Sequence, residues 1–554
     1  MTNHLGIALI QLNPTVGDLA GNLEKIRHAY RKAAAEGVDL VISSELVVTG
    51  YPPEDLMLKP SFQEAAEKAV HVLAAELTGG AGPGLLIGAP WRDGDALYNA
   101  SLLLDDGKVV HARFKHDLPN YGVFDERRIF SSGPLPGPVN FRGVRLGIML
   151  CEDMWTSEVT ECLVESGAEI LVVLNGSPFE VDKPDQRLNF AVARSVESGL
   201  PLIYTNQVGG QDELVFDGGS FVIGHDRTLA ARAVNWCEEV MITHWHRDKS
   251  AWICEAGPMA GETSGTEAIY QALLLGLRDY VTKNGFPGVL IGLSGGIDSA
   301  LTAALAVDAL GGDRVHGIRM PSPYTSPASL EDAEILADNL GMRLDTISIE
   351  PAMAAFDAML KELFAGQDAD ATEENIQARA RGMTLMALSN KFGRLVLSTG
   401  NKSEMSVGYA TLYGDMAGGF AILKDVYKTT VYECCRWRNA NFPEGALGPK
   451  GMVIPDRILT KAPSAELKPD QCDQDTLPPY EDLDAILSCL IEKDMSVDEI
   501  ADRGYDRKTV SWVWKMLDIA EYKRRQAPPG VKITSRSFGR DRRYPITNRY
   551  KGLA

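Results

Sequence analysis

The sequence predicts an α/β chain in two parts: a first half on a mixed sheet, and a second half on a parallel, doubly wound, Rossmann-like sheet. Three observations lead there. Through residues 5–206, apolar runs of strand length alternate with stretches of helical period, and one pair of runs is joined by a tight-turn signal. At 256–266 a stretch of small and polar residues without periodicity interrupts the pattern. Beyond it the order becomes strand, helix, strand, helix, strand, helix, as parallel neighbours with crossover helices require.

Taken in order, an apolar run at 5–12 opens the chain as a strand. Leu23, Ile26, Tyr30 and Ala33 recur at helical spacing, so 22–36 is an amphipathic helix. Asp39–Glu45 is a second strand, and the runs at 85–90, 144–150, 169–175 and 200–206 are further ones. The segments 97–104 and 109–114 flank Asp105-Asp106-Gly107-Lys108, whose Asp and Gly accept the left-handed backbone of a hairpin turn. Residues 256–266 read as a linker dividing the chain into domains over 1–255 and 267–554. The second domain starts with a long helix from Glu267. A strand at 289–293, a helix at 298–310, a strand at 314–320, a helix at 328–340 and a strand at 343–349 follow. Ligands of such a sheet sit at the carboxyl ends of its strands. There is no internal repeat and no long low-complexity tract.

The chain has 554 residues, enough for three or four domains or two large ones, with sizeable cores and no need of disulfide or metal staples. A formal net charge of −20 argues against a general nucleic-acid or membrane-surface binder. No apolar run approaches the roughly 18–20 residues that span a bilayer, and the N-terminus lacks a basic region and cleavage site. Eight cysteines without a Cys-x-x-Cys pair fit reduced thiols in the cytoplasm. The segment 521–551 breaks the acidic trend, with Lys or Arg at 523, 524, 525, 532, 536, 540, 542, 543, 549 and 551 against Glu521 and Asp541. Such a run is usually a solvated tail. Here Tyr522, Phe538, Tyr544 and Pro545 interleave with the charges, so a phosphorylated small molecule fits better than DNA.

The strongest motif is Ser294-Gly295-Gly296-Ile297-Asp298-Ser299, between an apolar strand and a helix. Its glycines let backbone approach phosphates, its serines can hydrogen-bond them, and the helix start favours negative charge. The spacing and lysine of a Walker A loop are absent. The motif resembles the pyrophosphate loop of the ATP-pyrophosphatase superfamily, which cuts ATP between its α- and β-phosphates and adenylates a substrate. A second block, Leu397–Glu404, follows another strand. Thr399 suits an ATP contact and Glu404 a Mg²⁺, since hard oxygen ligands bridge that cation to phosphates. The runs 408–415, 423–428, 458–467 and 477–483 complete a pattern that closely resembles the synthetase domain of the NAD⁺ synthetase family. That resemblance implies that the domain adenylates deamido-NAD⁺ with ATP and that ammonia displaces AMP, the last step of NAD⁺ biosynthesis. It implies that Gly292, Leu293, Ser294, Gly295, Gly296, Ile297, Asp298, Ser299 and Thr399 hold ATP. It further implies that Asn375, Glu404 and Lys523 contact deamido-NAD⁺, and that the protein is a homo-oligomer, at least a dimer through this domain.

At neutral pH ammonia is almost all ammonium, so a partner site that releases it is needed. Glu45, Lys115 and Cys151 occur in that order, each just past a strand, in a pattern that resembles the nitrilase/carbon–nitrogen hydrolase superfamily. A thiolate can attack an amide carbon, a carboxylate can take and return its proton, and an ammonium can stabilise the oxyanion. Beside a positive charge the Cys151 thiol should have a lowered pKa. The resemblance implies an α-β-β-α sandwich, Tyr121, Ser177 and Lys183 as glutamine contacts, and Glu126 as a supporting carboxylate. Ser44 departs from the proline that many relatives carry there, with no assigned role in doubt. Another glutamine amidotransferase on the same ATP loop is the main competitor. Those use an N-terminal cysteine or a Gly-x-Cys-x-Gly elbow, whereas residue 2 is Thr and Leu150 precedes Cys151. A non-catalytic nucleotide sensor is the other, and it does not explain Glu45, Lys115 and Cys151 together. His244-Trp245-His246 reads as an exposed strand without a third metal ligand, and Cys434-Cys435 as helical core packing.

Overall fold

The computed structural model describes residues 3–77, 82–249, 251–469 and 471–548. It divides into two compact units, Met1–Thr263 and Ser264–Ala554.

The first unit's strands are β1 (His4–Gln11), β2 (Leu40–Ile42), β3 (Gly84–Asp93), β4 (Ala96–Asp105) and β5 (Lys108–Phe114). There follow β6 (Val139–Phe141), β7 (Val144–Leu150), β8 (Ile170–Leu174), β9 (Leu202–Thr205), β10 (Val208–Gln211) and β11 (Leu214–Asp217). The last are β12 (Phe221–Ile223), β13 (Leu229–Arg232), β14 (Glu239–Asp248) and β15 (Ala251–Cys254). Periodicity alone indicates a mixed sheet, and the sandwich that the resemblance implies has two: a seven-stranded sheet in the order β15-β14-β1-β2-β3-β4-β5 and a six-stranded sheet in the order β13-β12-β9-β8-β7-β6. The β10–β11 hairpin stands apart. Strand periodicity fixes which face of a strand is apolar but not which strand it joins; β1, for example, pairs with β14, His4 opposite His246.

Leu5, Ile7, Leu9, Leu40 and Ile42 of one sheet pack with Leu146, Ile148, Ile170, Val172 and Ile203 of the other, forming the layer between the sheets. Full burial of one such side chain stabilises by about 1.5–3 kcal/mol. On the outer face of the seven-stranded sheet lie α1 (Leu19–Ala35) and α2 (Pro60–Glu76). On the outer face of the six-stranded sheet lie α3 (Glu158–Glu165) and α4 (Lys183–Ser198). This is an α-β-β-α sandwich. The helix read from Leu23, Ile26 and Ala33 buries those residues, with Asp18 capping its start through Gly21 N at 2.9 Å. The hairpin at 105–108 turns on Asp106 and Gly107, both at positive φ.

The expected linker 256–266 is shorter than its composition implies. Gly257 N donates to Ala230 O at 2.9 Å and Ala260 N to Arg232 O at 3.1 Å, so this stretch lines β13 as part of the first unit. Backbone pairing does not need apolar side chains, which is why periodicity missed it.

The second unit begins with α5 (Gly265–Lys283), two residues before the expected start. Next come β16 (Val289–Gly292), α6 (Ile297–Leu310), β17 (Val315–Arg319), α7 (Pro327–Leu340) and β18 (Arg343–Thr346). After α8 (Glu350–Leu360) and α9 (Ala371–Phe392) come β19 (Leu395–Ser398), α10 (Lys402–Val407), β20 (Phe420–Ala421) and α11 (Lys428–Ala440). The five strands lie in the order β18-β17-β16-β19-β20, all parallel. The chain runs one way from β16 to β18 and then crosses to β19 on the other side. That reversal opens a crevice beyond the carboxyl ends of β16 and β19. No helix among the described residues is long and apolar enough to cross a membrane. Cys434 and Cys435 are fully buried in α11.

Candidate active sites

In the first unit Lys115 directly follows β5 and Cys151 directly follows β7. Glu45 lies three residues past β2, where the sequence placed it on the strand; its turn is seated over β3 at Gly88. A Cβ at Gly88 would lie 2.3 Å from Leu46 N, so only glycine admits that turn. Cys151 has φ of 44° and opens a single 3₁₀ turn. A non-glycine residue in the left-handed region typically costs about 1–3 kcal/mol, and such positions cluster at functional sites.

The Glu45 carboxylate accepts from Lys115 Nζ at 2.7 Å, Asn99 Nδ2 at 2.8 Å and Gly176 N at 3.0 Å. Lys115 Nζ also donates to Glu126 Oε1 and Oε2 at 2.9 and 3.0 Å, and Tyr51 donates its hydroxyl to Glu126 at 2.9 Å. One ammonium thus serves two carboxylates. Burial alone lowers the Lys115 pKa, but Glu126 and Glu45 outweigh it and hold it well above the ordinary lysine value. Burial pushes the Glu126 carboxyl up against the pull of Lys115. The expected lowering of the Cys151 thiol does not occur. Burial first, then the Glu45 charge, raise it well above the usual cysteine value, and the opposing effect of Lys115 is smaller. Burial and the Glu45 charge thus both favour the neutral thiol.

Asp153, fully buried, binds the two loops that carry Lys115 and Cys151. Its Oδ1 accepts from His116 N at 3.0 Å and Asp117 N at 2.8 Å, and its Oδ2 accepts from Leu150 N at 3.0 Å. Tyr121 donates its hydroxyl to Glu152, beside Cys151, at 3.0 and 3.1 Å. Lys183 is buried with its Nζ 4.5 Å from the Trp155 ring centroid. Ser177 N donates to Asn206 Oδ1 at 3.1 Å, and its neighbour Gly176 is the residue that holds Glu45. Asn99, Glu152 and Asp153 escaped the sequence reading as site residues. Glu152 and Asp153 adjoin Cys151 in sequence, whereas Asn99 has no local signal.

In the second unit the crevice is a cavity of about 290 Å³. Residues Gly292–Ser299, Thr399 and Glu404 line it, as do Lys428 and Lys461 from the other recognised blocks. Gly295 has φ of 77°, and a Cβ there would lie 2.3 Å from Ser329 O, so this glycine serves the packing of the loop on α7. The α6 start has no side-chain cap, which leaves its N–H groups for an anion. Ser294 and Ser299 hydroxyls lie 3.1 Å apart.

Asp298 accepts from Asn401 Nδ2 at 2.8 Å, and Asn401 Oδ1 caps α10 through Glu404 N at 3.0 Å. Lys428 Nζ reaches both Asp298 Oδ2 at 2.5 Å and Glu404 Oε1 at 3.0 Å. Burial pushes the Glu404 carboxyl up to about 7 against Lys428. Asn375 does not line the cavity; it accepts from the Thr411 hydroxyl at 2.8 Å, and Thr411 does line it.

Lys523 donates to Gly408 O and Ala410 O at 2.7 and 2.6 Å, flanking the cavity residue Tyr409. Several cations of the basic tail are bound internally, whereas Arg540 and Arg543 are exposed. Arg524 donates to Ser406 O at 2.7 Å, Lys532 pairs with Asp541, and Arg542 pairs with Glu521. Arg549 and Lys551 lie outside the described residues. Fully buried Lys402 bonds Glu492 Oε1 and Thr534 Oγ1, both at 2.7 Å, tying the tail to α10.

His244 and His246 flank the buried Trp245 on β14, and among the described residues no group of three or more His, Cys, Asp or Glu side chains is placed to hold a metal.

The carbon-nitrogen hydrolase family matches residues 6–251, and the NAD synthase family matches residues 269–527. The chain is similar to the glutamine-dependent NAD(+) synthetase of Rhodobacter capsulatus, at 49% identity over 551 residues covering 100% of each chain. It is also similar to that of Thermotoga maritima, at 45% identity, covering 99% of each. A solved structure of glutamine-dependent NAD+ synthetase from Acinetobacter baumannii, in complex with ADP, is 42% identical with a TM-score of 0.79. That likeness covers 98% of this chain and 99% of the other.

Proposed function

The chain belongs to the glutamine-dependent NAD⁺ synthetase family, and from that membership we propose how its two sites divide one reaction. It is a carbon–nitrogen ligase, a glutamine-hydrolysing NAD⁺ synthase. The competing reading, another amidotransferase on the same ATP loop, is set aside by the likeness over the whole chain.

We assign glutamine hydrolysis to a glutaminase domain over 1–255. Glu45 takes the Cys151 proton, and Cys151 Sγ attacks the glutamine carboxamide carbon. Lys115 stabilises the resulting oxyanion. The C–N bond breaks as Glu45 returns the proton to the leaving ammonia, and water then hydrolyses the thioester to glutamate. Tyr121, Ser177 and Lys183 hold the glutamine, Lys183 suiting its carboxylate. Glu152, bonded to Tyr121, suits its ammonium. What supports these roles is the neutral buried thiol beside a carboxylate that three donors fix.

We assign amide formation to a synthetase domain over 267–554. Residues 292–299 and Thr399 hold ATP at the sheet's switch point. The nicotinate carboxylate of deamido-NAD⁺, held by Asn375, Glu404 and Lys523, attacks the α-phosphorus and pyrophosphate leaves. Ammonia attacks the acyl-adenylate and AMP leaves. Glu404, with Asp298 beside it, fits a Mg²⁺, because both carboxylates converge on one cation, Lys428. When bound, that ion supplies charge neutralisation at the phosphates. A cytoplasmic setting is supported by eight cysteines without a disulfide. An oligomer built through this domain is supported by exposed Met359 and Leu363, with 71% and 80% accessibility.

The observation that carries the reading is that the buried Glu45–Lys115 pair near Cys151 and the cavity lined by the glycine-rich loop 292–299 occur in one chain. Incubation with deamido-NAD⁺, ATP, Mg²⁺ and glutamine should give NAD⁺, AMP and glutamate. Formation of ADP in place of AMP would reject the adenylation step.

A further inference from the structure

The Lys428 ammonium fills the point where Asp298 and Glu404 converge, 2.5 Å from one carboxylate and 3.0 Å from the other. The side chain is 3% exposed, and the Tyr480 ring centroid lies 5.2 Å from its Nζ. Asn401 holds the Asp298 carboxylate through its amide nitrogen and the Glu404 backbone N–H through its amide oxygen. The Lys428 backbone is equally fixed, its N–H donating to Ser403 Oγ at 2.8 Å. Its stem is not, since a lysine has four methylenes and three rotatable donors.

Mg²⁺ takes oxygens at about 2.0–2.1 Å, typically one or two carboxylates completed by phosphates and waters. An ammonium and a divalent ion cannot occupy one point between two carboxylates, because like charges repel strongly where water is excluded. Among the described residues no third metal-ligating side chain joins this pair. The remaining ligands have to come with the nucleotide.

On the reading of the cavity as the ATP site, we propose that Lys428 is a placeholder cation. In the nucleotide-free protein its ammonium holds the divalent-ion position between Asp298 and Glu404. It yields that position when ATP phosphates enter the same cavity and accept its hydrogen bonds. Two consequences follow from the geometry. The acidic pair is never left as two uncompensated buried charges, which would be strongly destabilising. The metal binds well only together with the nucleotide, so the free enzyme is not loaded with an unproductive divalent ion.

The test is Mn²⁺ binding to the full-length protein at pH 8, read by the electron paramagnetic resonance of free Mn²⁺, with and without α,β-methylene-ATP. Without nucleotide, Lys428→Met should bind Mn²⁺ at least tenfold more tightly than the parent. Adding Glu404→Gln to that variant should remove the gain. With the nucleotide analogue the parent should gain affinity while the variant gains little more. Lys428→Gln, which keeps an amide donor in the gap, provides the same comparison if Lys428→Met does not fold. Folded variants that bind Mn²⁺ no better than the parent overturn the placeholder role. A parent that fails to bind the analogue at all overturns the ATP-site reading itself, and the placeholder role with it.

Discussion

The proposed nucleophile, Cys151, sits where its neutral thiol is favoured. Three per cent exposed and facing the Glu45 charge, its thiol is raised well above the usual cysteine range, so at neutral pH the thiolate is a small fraction. Below such a pKa the thiolate population rises about tenfold per pH unit. Alkylation of the substrate-free protein by iodoacetamide should therefore keep accelerating from pH 7 to pH 9. A plateau below pH 8, followed by mass spectrometry of the Cys151 peptide, would show a preformed thiolate and remove the need for Glu45 as base. Lys115, Asn99 and Gly176 together fix the Glu45 carboxylate by three hydrogen bonds.

At the scale of elements, the chemistry depends on loops held together by single side chains. Asp153 joins the segment after β5 to the segment after β7 through three backbone N–H groups. Asp153→Asn removes the charge and at least one acceptor, a loss of about 1.5–3 kcal/mol for a charge-assisted bond. The expected outcome is a ten- to hundredfold fall in glutamine-dependent kcat with KM nearly unchanged and ammonia-dependent synthesis intact, and Asp153→Glu should not rescue it. Unchanged kcat in the folded variant would reduce Asp153 to a structural role. In the second unit the tail is tied to α10, which carries Glu404, through Lys402 and Arg524, and to the segment that follows it through Lys523. Lys523→Ala should weaken deamido-NAD⁺ binding about ten- to a hundredfold and ATP binding much less, measured by calorimetry. Equal loss for both ligands would mark Lys523 as a clamp alone.

At the scale of the whole molecule, the chain forms two compact units, and the proposed function gives each one half-reaction. Cys151→Ala should abolish NAD⁺ formation from glutamine but leave formation from concentrated ammonia at alkaline pH within about twofold of the parent. Glu45→Ala and Lys115→Ala should behave alike, and pairs of these substitutions should cost little more than one, because the three act as a unit. NAD⁺ made from glutamine at the parent rate by Cys151→Ala would overturn the nitrilase assignment. Loss of the ammonia reaction in the same folded variant would show that the halves are not independent.

The sequence by itself determined the local elements, the glycine-rich loop after β16 and the order Glu45, Lys115, Cys151, because each is written in neighbouring residues. It also placed the catalytic blocks at strand ends, since a β-α-β order dictates where ligands of a parallel sheet sit. Only the tertiary structure decided the order of strands in the two sheets of the first half, that 257–260 pairs with β13, and that Arg524, Lys532 and Arg542 of the basic tail are bound internally. It alone brought Asn99 to Glu45, and Lys428 between Asp298 and Glu404, and it placed Glu126, which only the resemblance had suggested, against Lys115. These are pairings between residues far apart in the chain. The thiol's raised pKa belongs with them, because desolvation comes from everything packed around a group, whereas sequence shows only the charges beside it.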